Sequence, residues 1–258
     1  MTTKPVSIKD SRISVGGVIP LVCAPILATT PQKAASQARI IAAADLLPDI
    51  IEIRFDSAAA PSNAEARKTL AATQMVLRDI PLLGTLRSVR EGGLWSGSAA
   101  ETADIARAII TGGLCSMIDI EYTLDPYVRD MLIALAKENQ VASVISLHEW
   151  TPPADDYDFS ETLMKLHASG GDIIKLAVMA KSALTGWRLL MATGRVTETI
   201  ETPVIALAMG EAGTAIRLAG PLFGSCLSFA SAAQSSAPGQ PSLREVREYW
   251  CKAGIRSI

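Results

Sequence analysis

The sequence predicts a (β/α)8 barrel, a TIM barrel of the α/β class. Three observations carry the prediction. Eight apolar runs of strand length follow one another along the chain; a helical pattern comes after each; the connections are short. The chain has 258 residues, enough for one such domain across residues 1–258. The competing open, doubly wound sheet normally carries a Gly-rich phosphate turn after its first strand, and Ala24-Pro25-Ile26 is not one.

Residues 1–18 hold two short strand candidates, around Ser7-Ile8 and Ile13-Val15. They are expected to form a hairpin that closes the bottom of the barrel. Ile19 to Ala24 reads as the first barrel strand, and Thr30 to Ala44 as the first helix, with Pro31 in its first turn. Strand two is Asp49 to Arg54 and helix two Asn63 to Val76. Strand three is Pro81 to Arg87, and helix three runs from Ser98 to Thr111, stopped by Gly112-Gly113. Ser116 to Glu121 and Asp125 to Asn139 form the fourth unit. Val141 to Leu147 and Phe159 to Ala168 form the fifth. Asp172 to Val178 is the sixth strand, followed by a helix from Ala183 to Thr193. Pro203 to Ala208 is the seventh strand, with a short helix from Gly213 to Ala219. Leu222 to Leu227 is read as the eighth strand. The closing helix begins at Ser242, which with Glu245 makes a capping box, and ends near Lys252. The loop Ser235 to Ser242 lies inside the last unit and reads as a lid rather than a linker.

Composition narrows the function. The formal net charge is −2 and no basic stripe appears, which argues against nucleic acid as a partner. Cys23, Cys115, Cys226 and Cys251 are far apart, without metal-ligand or disulfide spacing. No apolar run approaches membrane-spanning length and the N-terminal residues lack a signal core, so a cytoplasmic protein is expected.

Barrel chemistry sits at the C-terminal ends of the strands. The polar residues there are Glu52, Arg54 and Asp56; Arg87, Arg90 and Glu91; Asp119 and Glu121; His148 and Glu149; Lys175; and Glu211 and Arg217 beyond Met209. Lys175 is expected near the end of a buried strand. Burial disfavours an ammonium, and a neutral amine attacks carbonyls to form a Schiff base. The plainer alternatives are a carboxylate partner or a stem that snorkels to the strand end. Glu52 and Arg54 share a strand face, as a structural pair or as binding groups. Asp119 and Glu121 read as an internal network. His167, near a helix C-terminus, reads as structural. His148 ends the strand beside that of Lys175, so imidazole and amine reach one point. That is the pairing imine chemistry needs for proton abstraction next to a carbonyl. Arg54, Arg87 and Arg217 around the same mouth suit a small substrate with a carboxylate. Phosphate fits less well, because Glu211 occupies the turn after strand seven.

Seven segments, in order, resemble the type I 3-dehydroquinate dehydratase family. They are Glu52-Ile53-Arg54-Phe55-Asp56, Arg87-Ser88-Val89-Arg90-Glu91-Gly92-Gly93, Met117-Ile118-Asp119-Ile120-Glu121, Ser146-Leu147-His148-Glu149, Lys175-Leu176-Ala177, Arg217-Leu218-Ala219-Gly220 and Ser236-Ala237-Pro238-Gly239-Gln240. The resemblance implies Lys175 as the imine-forming lysine, His148 as general base and acid, and Glu91 as the carboxylate supporting it. It implies Glu52, Arg54 and Arg87 as grips for ring hydroxyls, Arg217 as the carboxylate binder, and Ser236 and Gln240 as the lid. Met209 and Phe229 complete the implied pocket. Cys23 stands where many members place a substrate-touching serine, and Leu207 where many place a methionine. The resemblance further implies syn elimination of water from 3-dehydroquinate, in the shikimate route to aromatic amino acids. It implies a small-molecule substrate, no cofactor, no metal and a homodimer. An aldolase-type imine lyase and a non-catalytic binding barrel are the rival readings.

Overall fold

The computed structural model describes residues 3–58, 61–232 and 239–256. Eight parallel strands form the barrel wall: β3 (Leu21–Leu27), β4 (Ile50–Arg54), β5 (Leu82–Thr85), β6 (Met117–Glu121), β7 (Ala142–Glu149), β8 (Ile173–Met179), β9 (Val204–Met209) and β10 (Leu227–Phe229). Their order is β10-β3-β4-β5-β6-β7-β8-β9. A parallel bridge from Val204 to Ser225, with the Cys226 N–H donating to the Val204 carbonyl at 2.8 Å, brings the last strand back to the first.

The helices on the outside are α1 (Pro31–Ala42), α2 (Asn63–Gln74), α3 (Ala99–Thr111), α4 (Pro126–Glu138), α5 (Phe159–Ala168), α6 (Ala183–Thr197), α7 (Thr214–Ala219) and α8 (Leu243–Lys252). Side-chain caps set their starts: Thr30, Ser62, Ser98, Asp125, Asp158, Ser182 and Ser242 each accept a backbone N–H of the first turn. The capping box at Ser242 and Glu245 forms, and a second forms at Ser98 and Glu101. No helix among the described residues is long and apolar enough to cross a membrane.

Period-two alternation divides each strand between two cores. Ile51, Ile53, Ile174, Leu176 and Val178 face the helices. Cys23, Ile50, Ile173, Ala177, Leu207 and Met209 face the barrel axis. The hairpin of β1 (Val6–Ser7) and β2 (Ser14–Val15) presents Ile8 and Val15 to that inner core, against Leu21, Ile50, Met117 and Ile173 at the strand starts. Toward the C-terminal mouth, buried polar residues such as Glu52, Arg87, Asp119 and Lys175 join Ala177, Leu207 and Met209.

Two expectations need correction. The eighth strand is Leu227–Phe229, not Leu222 to Leu227; residues Gly220–Phe223 form a 3₁₀ turn closed by Gly224 at φ 92°. Pro221 and the left-handed glycine bend that apolar run back instead of extending it. Lys175 is the third of seven residues in β8, so it lies inside the barrel rather than at its rim.

Candidate active site

Glu52, Arg54, Arg87, Glu91, His148, Lys175, Met209, Arg217 and Phe229 line one recess of about 490 Å³ at the C-terminal mouth, together with Gly92, Trp150, Ala177 and Leu207. Strand register brings them there. Glu52 faces inward from β4 and accepts the Thr85 hydroxyl at 3.0 Å. Ser146 on β7 pairs in register with Lys175 on β8, and His148 with Ala177.

Arg87 is the hub. Its Nη1 donates to Glu91 at 3.2 Å, to Glu121 at 2.9 Å and to Ser146 at 3.0 Å, and its Nη2 lies 2.8 Å from Asp119. Burial alone would lower its pKa, but Asp119, Glu121 and Glu91 together raise it. Asp119 in turn accepts Ser146 at 2.6 Å, and despite its burial Arg87 and Lys175 hold its carboxyl below the usual range. Asp119 and Glu121 thus form the expected internal network, and Arg87 is engaged by protein carboxylates before any ligand enters.

Lys175 is 3 % exposed. Its Nζ lies 3.5 Å from Asp119 Oδ2, 3.9 Å from Glu52 Oε1 and 4.3 Å from the centre of the Phe229 ring. The lysine is therefore ion-paired in the free protein. Arg54 is bound by Asp56 in a two-pronged contact at 2.9 and 2.8 Å, so its carboxylate partner is not Glu52. Asp56 also accepts the backbone N–H groups of Arg87 and Leu94, tying two loops of the mouth together.

His148 and Glu91 form a pair: His148 Nδ1 lies 3.0 Å from Glu91 Oε2, which also accepts the His148 backbone N–H at 3.1 Å. Burial, and then the positive charges of Arg87, Lys175, Arg54 and Arg217, depress the imidazole well below its ordinary value. Burial pushes the Glu91 carboxyl up to about 8; Arg87 and Thr123 draw it down, while Glu121 and Asp119 add to the rise. One proton shared by two such groups titrates as a property of the pair.

Arg217 differs from the other two arginines. Its Nε donates to the Ala208 carbonyl at 2.8 Å, and among the described residues no carboxylate pairs with it. Burial lowers it to about 10, which still leaves a guanidinium at neutral pH. This cation faces the recess uncompensated.

Three expected site residues stand apart. Cys23 is fully buried beneath the recess, in register with Phe229 and Ile50, and does not line it; burial, followed by the nearby Glu52, drives its thiol pKa up. Gln240 also lies outside the lining, in a segment whose Gly239 carbonyl accepts the Thr214 hydroxyl at 3.2 Å. Ser236 lies outside the described residues.

Two residues of the site escaped sequence reasoning. Trp150 lines the recess and donates from Nε1 to the Glu91 carbonyl at 2.7 Å. Thr123 donates to Glu91 Oε1, also at 2.7 Å. Each lies two residues beyond a residue that was singled out, His148 and Glu121.

The geometry is that of an enzyme: a buried amine, an imidazole–carboxylate pair and a free guanidinium around one recess at the catalytic end of a barrel. The chain matches the family model for type I 3-dehydroquinase over residues 22–254. It is 34 % identical over 242 residues to a 3-dehydroquinate dehydratase of Lactiplantibacillus plantarum, covering 93 % of this chain and 95 % of that protein. The crystal structure of 3-dehydroquinate dehydratase from Geobacillus kaustophilus superimposes with a TM-score of 0.90 at 31 % identity, covering 100 % of this chain and 99 % of that one. The type I enzyme of Clostridium difficile, solved with covalent modified comenic acid, gives 0.90 at 30 % identity, covering 100 % of both chains. The chain belongs to the type I 3-dehydroquinase family, a family of hydro-lyases.

Proposed function

We propose that this protein dehydrates 3-dehydroquinate to 3-dehydroshikimate through a Schiff base on Lys175. It would act as a cytoplasmic homodimer in the shikimate route to aromatic amino acids. The observation that carries the reading is the convergence of Lys175 and the His148–Glu91 pair on one recess. The covalent comenic acid in the Clostridium difficile relative agrees with a nucleophile in such a site.

The substrate carboxylate pairs with Arg217, the cation that no carboxylate among the described residues neutralises. Glu52 and the arginines of the rim meet the ring hydroxyls. Lys175 must shed a proton before it attacks, and Asp119 Oδ2 and Glu52 Oε1, at 3.5 and 3.9 Å, are the acceptors within reach. Nζ adds to the ketone carbon, and loss of water gives the iminium. The iminium acidifies the adjacent C–H. His148 Nε2 takes that proton, and the electron pair moves to form an enamine. The enamine expels the C1 hydroxyl, which leaves as water with the proton His148 returns. Hydrolysis of the iminium frees the product and restores the amine. One imidazole on one face makes the elimination syn.

The test is to incubate the purified protein with 3-dehydroquinate, follow the ultraviolet absorbance of the conjugated product, and identify it by mass spectrometry. Growth of that absorbance with loss of one water is the expected result. Products of C–C cleavage would replace this reading with an aldolase-type lyase. Unchanged substrate would leave a binding barrel.

A further inference from the structure

We infer that Thr123 is a positioning residue: by holding the far oxygen of Glu91, it sets which nitrogen of His148 carries the ring hydrogen. The inference deepens the proposed function and rests on its assignment of His148 as the base.

Glu91 ends a single 3₁₀ turn, Val89–Glu91, between the Ser88 cap and the left-handed Gly92, and is 2 % exposed. Its two oxygens have different partners. Oε2 meets Arg87 Nη1 at 3.2 Å, the His148 N–H at 3.1 Å and His148 Nδ1 at 3.0 Å. Oε1 accepts the Thr123 hydroxyl at 2.7 Å. Thr123 lies in the turn between β6 and α4, outside the recess lining, and its hydroxyl meets the lining residue Glu91.

The consequence concerns one proton. When Glu91 is ionised, Oε2 accepts from Nδ1–H, and Nε2 is left with a lone pair, able to remove a proton. When Glu91 is neutral with its proton on Oε2, that proton is given to Nδ1. Nε2 then carries the ring hydrogen and cannot act as a base. A hydroxyl donated to Oε1 favours the ionised form and therefore the basic nitrogen. The other charges bearing on this balance are Arg87 from the adjoining loop, Asp119 and Glu121 from β6 and, around the imidazole, Lys175, Arg54 and Arg217. None of these fixes Oε1. Thr123 is the neutral group that does.

The experiment compares wild type, Thr123→Val and Thr123→Ser. Two readouts are followed across pH: the ¹⁵N shifts of the His148 ring in the free protein, and the acidic limb of kcat/KM. The chain has two histidines, so a His167→Gln background assigns the signal. Thr123→Val is expected to move both midpoints to higher pH by about one unit, the scale of one hydrogen bond to a charged group. Thr123→Ser is expected to return both to the wild-type position. Coincident ring midpoints in wild type and Thr123→Val would overturn the inference. A moved ring midpoint with an unmoved kinetic limb would uphold the role of Thr123 and count against His148 as the base. Circular dichroism checks folding, and Thr123→Ala, which adds no atom, substitutes if the valine variant does not fold.

Discussion

Ser146 lies directly across from Lys175 in the β7–β8 ladder, so His148, two residues further along β7, stands one side-chain layer above the amine. In the proposed reaction a substrate entering the mouth would meet the imidazole first and Lys175 at the bottom. Between them Ser146 accepts from Arg87 and donates to Asp119, which approaches the lysine. Amine and imidazole thus both contact one buried ion cluster, Lys175 through Asp119 and His148 through Glu91, with Arg87 between the two carboxylates.

His148→Ala should separate the two steps. The lysine keeps its place, so imine formation survives, while proton removal from the adjacent carbon falls by about 10²- to 10⁴-fold. Stopped-flow detection of the imine alongside the steady-state rate checks this. Steady-state turnover at the wild-type rate would remove the imidazole from the reaction.

Arg217→Gln should act on binding. Losing a charge-assisted contact with the substrate carboxylate costs roughly 1.5–3 kcal/mol, read as a fall of about ten- to a hundredfold in kcat/KM. Arg217→Lys should not restore it, because an ammonium lacks the two-pronged fork. Equal kinetics for all three proteins would mean that the carboxylate is bound elsewhere.

Gly92→Ala tests the mouth. Gly92 sits at φ 79°, and a Cβ there would come within 1.8 Å of the Trp150 ring. The alanine pays left-handed strain of about 1–3 kcal/mol and displaces the indole that holds the Glu91 carbonyl. Both the melting temperature and kcat should fall. An unchanged kcat in a destabilised variant would show that Trp150 does not steady Glu91.

Glu91 should also leave a mark on stability. Its folded pKa, about 8, lies above its ordinary 4.5, so ionising Glu91 costs more in the fold than in the unfolded chain. Its contribution is present in full below pH 4.5 and is lost as pH rises through about 8. Glu91→Gln, neutral throughout, should show a flatter melting temperature between those limits than wild type. Parallel curves for the two proteins would contradict the assigned direction. Asp119 has the opposite sign, its stabilisation being lost as pH falls below the ordinary 3.8.

The barrel was legible because its signals are local. Apolar runs, helix caps such as Ser98 and Ser242 and stop signals such as Gly112 lie within a few residues of what they decide. The eighth strand was misplaced for the same reason: Leu222 and Phe223 look like a strand until Pro221 and Gly224 turn them back. The residues of the recess were legible as polar positions on apolar strands. Their partners were not. Arg87 reaches Glu121 and Ser146 across 34 and 59 residues, and which carboxylate meets which arginine follows from strand register. Thr123 gave no signal, being a hydroxyl in a turn, whose usual role is local.

The central claim is that Lys175 forms the covalent bond to substrate. The most direct measurement is reduction with borohydride in the presence of 3-dehydroquinate, followed by peptide mass spectrometry. The expected result is a stable adduct on Lys175 alone, absent from Lys175→Ala. An adduct on another lysine, or none in a protein that still turns substrate over, would contradict it.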